Sequence, residues 1–255
     1  MSSRALPVLP SAGDGPRSVD RALDLLDAVA EAAGPVSAKA LARRLGCSLS
    51  TVYHLLGPLT DRGHVLRTPH GYALGHRVPD LNRAYGRQLD VAPGLREALA
   101  EVRRATGAEA YFTAYRGGEI SVVDSTVPVT DEAAPFAVGR ERRAHATAHG
   151  KVLLSALPAP ARRRYLERHG MPRLTEKTIT APGAFETELA GVRRTGLAVS
   201  VGEAERGFSC VAVPLAGALP GEARALSVSL PTEAYPRLRA RIASVLDRVA
   251  GRLSG

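Results

Sequence analysis

Within its first 75 residues the chain carries three short amphipathic helical segments and then a tight β-hairpin pattern, an order that few folds accommodate. SVDRALDLLDAVAEAAG opens on Ser18, a good N-cap residue, and its Val19, Ala22, Leu23, Leu26, Val29 and Ala30 share one helical stripe before Gly34-Pro35 stops it. Ser37 caps SAKALARRLG, a shorter helix that turns Ala40, Leu41 and Leu45 inward and ends at Gly46. SLSTVYHLLGPLTDRG follows as a third helix with Val52, Leu55, Leu56 and Leu59 apolar. Pro58 falls inside it. A proline there lacks the N–H that His54 would bind and costs roughly 3 kcal/mol, so a kink or break is expected between Leu56 and Pro58. Two β-prone runs, HVLRT and GYALG, then meet at Pro69-His70-Gly71 as a hairpin.

Three helices and a hairpin in this order make a winged helix-turn-helix. In such a module the N-terminal end of the third helix enters the major groove of DNA and carries small polar residues there. Ser48, Ser50, Thr51, Tyr53 and His54 meet that need, with Leu49 among them. Lys39, Arg43 and Arg44 on the second helix are candidates to hold phosphates, and Arg67 and His70 in the hairpin to reach the backbone or minor groove. The competing interpretation is a small helical packing module whose serines are merely solvated.

The formal charge of +9 permits a nucleic-acid partner but does not establish one. Residues 1–90 hold 11 basic and 8 acidic side chains and the remainder 23 and 17, so the excess is not concentrated on the candidate DNA-binding segment. With 255 residues, 45% of them hydrophobic, the chain is long enough for one large or two medium domains. Two cysteines, Cys47 and Cys210, form neither a CxxC motif nor a disulfide framework, which predicts a reducing, cytoplasmic setting. No apolar run approaches a membrane span and no signal peptide is recognisable. Residues 1–16, rich in Pro, Gly and Ser, are expected to be a disordered tail, followed by the winged helix at 17–76, a linker helix at 77–92 and a second domain at 93–255. The linker places Leu81, Ala84, Tyr85 and Leu89 on one side, a stripe suited equally to a dimer contact or to its own chain.

Past Pro93, which is placed to start a helix reaching Thr106, the pattern turns to strands. AEAYFTAY and EISVVDSTV flank Arg116-Gly117-Gly118 as a hairpin, and FAVG is a short strand. Helices at about 150–156 and 159–168 and another in FETELAGVRRTG precede the strands LAVSVGE, FSCVAVPL and ARALSVSLP, and a helix over about 233–253 ends the chain. This mixture predicts an α+β domain with a mostly antiparallel sheet.

The stretch HATAHGKVLL, residues 145–154, concentrates chemistry-bearing side chains. A phosphate loop needs GxxxxGK followed by Ser or Thr, but His145 stands at the first glycine position and Val152 at the hydroxyl position. A metal site needs His145 and His149 on one face, whereas Thr147 as N-cap leaves His145 outside the helix. A catalytic cluster needs a nucleophile, a base and an orienting group, and Ser209, Cys210 and the histidines supply parts in no recognisable order. What remains is a capped helix start. The N–H groups of Ala148, His149 and Gly150 there suit a ligand carboxylate or carbonyl, with a purely structural cap as the alternative. For Cys210 the alternative is a small buried apolar residue in a strand. No catalytic residue, metal or cofactor is expected.

Several blocks in the same order resemble the isocitrate lyase regulator (IclR) family of bacterial transcription factors over about residues 17–253. They are RSVDRALDLLDAVAEAAGPVSAKALARRLGCSLSTVYHLL, GYALG, HATAHGKVLLSALP, GLAVSVGEAERGFSCVAVPL and ALSVSLP. The resemblance implies a winged helix-turn-helix, a linker helix and a GAF-like effector-binding domain. It further implies a homodimer or homotetramer on palindromic DNA operators, responding to a small organic or aromatic acid and acting on the nucleoid rather than as an enzyme. Carried over position by position, the effector site falls on Ala148 and His149, Ser200, Phe208 and Cys210, and Ser227 and Ser229, beside the N–H of Gly150. Ser200 stands where the family usually has Asp, which removes a charge from that site. Leu49 and His54 replace a frequent Lys and Arg, and a histidine does not grip guanine as the bidentate arginine does. Ala216-Gly217 departs from the family's aromatic-Asp/Asn pattern, so a different hairpin is expected there. A constitutive DNA binder with a vestigial pocket, and a small-molecule enzyme with an accessory helix-turn-helix, are the two rival readings.

Overall fold

The computed structural model describes residues 17–88, 94–127, 136, 138–216 and 219–254. The expected tail at 1–16, the linker end at 89–92 with Leu89, Pro93, and Gly217 of the altered hairpin lie outside the described residues. The chain divides into two compact units, Met1–Val91 and Ala92–Gly255.

In the first unit α1 (Arg17–Ala30), α2 (Ala38–Leu45) and α3 (Leu49–Asp61) precede the antiparallel pair β1 (Val65–Thr68) and β2 (Gly71–Leu74), and α4 (Arg77–Gln88) follows. Ser18 lies within α1 rather than capping it. The buried side of α1 is Leu25, Ala28 and Val29, while Val19 and Leu23 are 51% and 55% exposed. The expected stripe is therefore turned. Apolar residues wrap more than half of this helix, and α2 and α3 cover only the side that carries Leu25. The Oγ of Ser37 accepts the N–H of Ala40, the Oγ of Ser48 accepts that of Thr51, and Gly46 ends α2 in the left-handed conformation. The expected break at Pro58 does not occur, and α3 runs through to Asp61. His54, Gly57 and Pro58 all lie on its exposed side, where water can serve the carbonyl that proline leaves without a donor.

The hairpin is pinned to the helices by a reciprocal backbone pair, Val36 N–H to Tyr72 O at 2.9 Å and Tyr72 N–H to Val36 O at 2.8 Å. Gly71 makes that approach possible, because a Cβ there would sit 2.5 Å from the Val36 carbonyl oxygen. Gly71 begins β2, as expected for GYALG, and it is not also part of the turn, which Pro69-His70 alone form.

The second unit is built on a six-stranded, fully antiparallel sheet in the order β5-β4-β3-β8-β7-β6. Its strands are β3 (Glu109–Arg116), β4 (Glu119–Ser125), β5 (Gly139–Arg140), β6 (Ala198–Val201), β7 (Phe208–Leu215) and β8 (Ala223–Pro231). Of the strand expected in FAVG, Ala137 lies outside the described residues, Phe136 and Val138 are not in a strand, and Gly139 begins β5. α5 (Leu95–Thr106) and α9 (Tyr235–Leu253) pack together on one face, against β3, β7 and β8. α6 (Ala148–Ala156) packs on the other, beside α8 (Pro182–Thr195), with α7 (Ala159–His169) between them in sequence. The central strand β8 is covered on both faces, and every residue but Pro231 is buried. None of the described helices is long and apolar enough to cross a membrane.

Gly71→Ala places a side chain against a backbone carbonyl at φ 138° and is expected to destabilise the first unit by on the order of 2 kcal/mol. Amide hydrogen exchange at Val36 and Tyr72 reads this directly: exchange at both should accelerate, and unchanged protection would contradict the account.

Candidate effector site and DNA-facing surface

The exposed start of α3 collects the residues expected to face DNA. Ser48 bonds to the Thr51 hydroxyl at 2.8 Å as well as to its N–H at 3.1 Å, so these two brace the helix start. Leu49, Ser50, Tyr53 and His54 are left outward, Leu49 at 43% and Tyr53 at 52% exposure. Lys39, Arg43, Arg44, Arg67 and His70 are all exposed. Arg44 pairs with Glu31 in the turn that follows α1, an exchangeable surface contact worth little to stability.

In the second unit the register of the sheet sets the candidate effector residues in rows. Ser200 faces Cys210 and Cys210 faces Ser229 across β6, β7 and β8, while Ala212, Ser227 and Tyr111 form the neighbouring row. Side chains in such rows share a face, here the one covered by α6. A short 3₁₀ turn, Ala144–Ala146, leads into α6, and Thr147 caps the helix by accepting the Gly150 N–H at 3.1 Å. That N–H is therefore occupied. Gly150 itself is a packing residue, since a Cβ would lie 2.1 Å from the Ala144 carbonyl oxygen. The N–H groups of Ala148 and His149 keep their place in the first turn, without intrahelical acceptors.

His149 is completely buried. Its Nε2 lies 3.4 Å from a Glu141 carboxylate oxygen, and its Nδ1 lies 3.9 Å from Cys210 Sγ. The other Glu141 oxygen accepts the Arg143 N–H at 2.5 Å and faces the Arg143 guanidinium at 3.6 Å. Burial alone would favour a neutral ring, but Cys210 and Glu141 outweigh it and raise His149 to about 9. Burial likewise opposes the Glu141 charge, and His149 and Arg143 together hold its carboxyl below the usual range. The ring of Phe136 stands edge-on to His149 at 5.0 Å and to Tyr111 at 5.5 Å, with the Arg143 guanidinium 5.2 Å from its centre.

Phe136, Ser200, Ala204, Phe208 and Cys210 line a crevice of about 10 Å³, roughly the space of one water. The structure thus brings Ser200, Phe208, Cys210 and His149 together. Ser229 stands beside them, bonded to the Tyr111 hydroxyl at 3.0 Å, and Ser200 donates to the Ala146 carbonyl at 2.6 Å. Ala148 and Ser227 are buried deeper, and Gly150 faces away toward Ala144. The Ser227 hydroxyl is buried without a protein partner among the described residues.

The remaining side chains of the motif have structural roles. His145 Nε2 lies 2.9 Å from the Pro172 carbonyl oxygen, so that nitrogen carries the proton, and burial holds the ring below its usual value. Lys151 is buried and donates to Glu203 at 2.6 Å, Glu188 at 3.0 Å and the Val199 carbonyl at 3.0 Å. Burial still pushes Glu203 up against the pull of that lysine. Among the described residues no group of three or more His, Cys, Asp or Glu is arranged to hold a metal. Sequence reasoning missed Glu141, Phe136 and Tyr111. Glu141 sits in an Arg-rich surface-like string, and no local pattern marks it as the partner of a residue eight positions on.

A family model described as "Bacterial transcriptional regulator IclR C-terminal" matches residues 83–254, and one described as "IclR helix-turn-helix domain" matches residues 18–69. An HTH-type transcriptional regulator of Mycobacterium tuberculosis is 32% identical over 235 residues, 91% of this chain and 89% of its own. The crystal structure of an IclR transcriptional regulator from Alicyclobacillus acidocaldarius superposes with a TM-score of 0.78 at 26% identity, covering 94% of this chain and 98% of its own. An IclR homologue from Microbacterium hydrocarbonoxydans, crystallised in complex with 4-hydroxybenzoate, shares the fold with a TM-score of 0.75 at 20% identity, over 93% and 97% of the two chains.

The buried pair makes stability depend on pH. An unfolded histidine titrates near 6.5, whereas folded His149 titrates at about 9, so its contribution is complete below pH 6.5 and is lost as pH rises through 9. The loss is on the order of 3 kcal/mol. Urea unfolding from pH 6 to 10 should show it in the wild type and not in His149→Gln; equal pH slopes in the two proteins would contradict it.

Proposed function

The chain belongs to the IclR family of bacterial transcriptional regulators, and from that premise we propose that it is a ligand-responsive one. The proposal assigns operator reading to the start of α3 and the hairpin, effector recognition to the crevice beside His149, and no catalytic role to either. The observation that carries it is the buried, positively charged His149 ring at a capped helix start. Beside it are two first-turn N–H groups without intrahelical acceptors and a crevice walled by Phe136 and Phe208. That chemistry suits a small carboxylic acid with an apolar or aromatic body. The 4-hydroxybenzoate complex of the Microbacterium homologue agrees with that class of ligand.

A benzoate-sized molecule does not fit the crevice as it stands, so Phe136 must give way when it binds. This displacement supplies what control requires, a difference in affinity between two conformations of the protein. In a homodimer or homotetramer acting on nucleoid DNA in the cytoplasm, the two conformations would space the half-sites differently. Residues 17–76 and 93–255 are assigned as the two domains, joined by a helix at 77–92. α4 contributes no buried residue to the single chain, which supports a partner copy along its Leu81 side. The small crevice also favours one rival, a constitutive DNA binder whose pocket is closed for good.

Fluorescence anisotropy with genomic fragments, including the protein's own promoter, tests the DNA assignment. Salt-sensitive, sequence-selective binding is expected, and its absence from every fragment would overturn the reading. His54→Ala should weaken the preferred fragment about 5- to 30-fold and non-specific DNA far less, while Arg67→Ala should weaken both alike and lower the salt slope by about 1. A melting-temperature screen with aromatic and aliphatic carboxylic acids separates the rivals: a saturable rise with at least one acid supports ligand control, and none at all supports the constitutive binder.

A further inference from the structure

We propose that the cleft between α7 and the start of α8 is a second small-molecule site, and that it takes a zwitterion, an α-amino acid with a bulky apolar side chain. The cleft shares no lining residue with the crevice beside His149, so this second site stands or falls apart from the effector reading.

Its volume is about 650 Å³, within the range of cavities that hold small molecules, where the crevice has about 10 Å³. α7 stops at Gly170, whose φ of 69° turns the chain, and the segment that follows returns to Pro182 at the start of α8. The cleft draws its walls from all three. Leu166 of α7 and Met171 just beyond it are half-buried and packed on the hydrophobic core of the second unit. Ala159 and Pro182 extend this apolar wall, and Thr180 adds a hydroxyl.

The charges in the cleft are of two kinds. Arg162 is buried and fully engaged: its Nε and Nη2 donate to the two oxygens of Glu186 at 2.7 and 2.8 Å, and its Nη1 to the Leu157 carbonyl at 2.7 Å. This bidentate pair fastens α7 to α8, holds the Glu186 carboxyl below its usual range and is neutral as a unit. Arg163 and Glu167 differ from it. Both line the cleft and are exposed, and neither side chain makes an ion pair or hydrogen bond among the described residues. Arg163 acts on Glu186 only at a distance. Four residues apart on α7, the two stand one turn apart on the same face of the helix. A positive and a negative group are thus left unpaired beside an apolar wall.

Charge complementarity selects the ligand class. A carboxylate alone would meet Arg163 but set a like charge against Glu167 and Glu186. An amine alone would meet Glu167 but face two arginines. A molecule that carries both places its carboxylate on Arg163 and its ammonium on Glu167, and turns its side chain to Leu166 and Met171. The lining holds two positive and two negative side chains, so a ligand of zero net charge with separated ends is its complement.

The test titrates the full-length protein with L-leucine, L-methionine and L-phenylalanine by calorimetry, each beside the carboxylic acid and the amine that lack one of its two charges. At least one amino acid should bind saturably, and its acid and amine counterparts about 10-fold more weakly. Arg163→Gln and Glu167→Gln, both at exposed positions and checked for folding by circular dichroism, should each weaken binding about 10-fold, and His149→Gln should leave it unchanged. No saturable binding by any of the three overturns the proposal. So does binding that both α7 variants leave intact, or binding that the acid or the amine matches alone. An amino acid that loses affinity in His149→Gln and keeps it in the α7 variants has entered the crevice, which overturns the second site and supports the effector reading.

Discussion

A fully buried imidazolium held by one carboxylate is the interaction on which the second unit is arranged. Taking a charged ring out of water costs several kcal/mol, and only a partner that is itself buried and oriented recovers it. Glu141 is that partner, and its own second oxygen is held by the Arg143 backbone and guanidinium. The pair ties the segment leading from β5 to the first turn of α6, and through Cys210 to β7. Phe136 then packs edge-on against that ring. Helix start, sheet and the Phe136 ring therefore meet at one side chain.

The Gly-Lys pair that follows shows how packing reuses residues associated elsewhere with phosphates. Gly150 is required because the Ala144 backbone crosses the helix where a Cβ would be. Lys151 points the other way, into a buried set of acceptors on α8, β6 and the loop after it. Thr175 and Thr178 hold the backbone of that same loop through the Gly202 and Glu203 carbonyls. α6 is thus clamped through Lys151 in the same N-terminal turn that carries the His149 ring.

The sequence made the fold legible wherever local chemistry decides. Ser37, Gly46 and Ser48 cap the helices of the first unit as their residue types require, and Thr147 does so for α6. Alternation in ALSVSLP and its neighbours set the rows in which Ser200, Cys210 and Ser229 meet. Reading stopped where tertiary surroundings decide. Pro58 is tolerated because its side of α3 is open to water, and the buried side of α1 was set by where α2 and α3 lie. Glu141 and Tyr111 join the site through contacts between distant segments, and a Glu between arginines carries no local mark of burial. The charge on His149 was equally hidden, because it depends on a carboxylate whose distance only the fold sets.

The account makes His149 the positive centre of the candidate effector site in an IclR-family regulator, and the ligand class proposed for that site follows from its charge. Nitrogen-15 NMR of the histidine rings at pH 7, with His149→Gln used to assign the resonances, tests it most directly. The account predicts both ring nitrogens of His149 protonated, with signals in the imidazolium range that persist until the pH approaches about 9. A neutral ring at pH 7, with one protonated and one bare nitrogen, would contradict it.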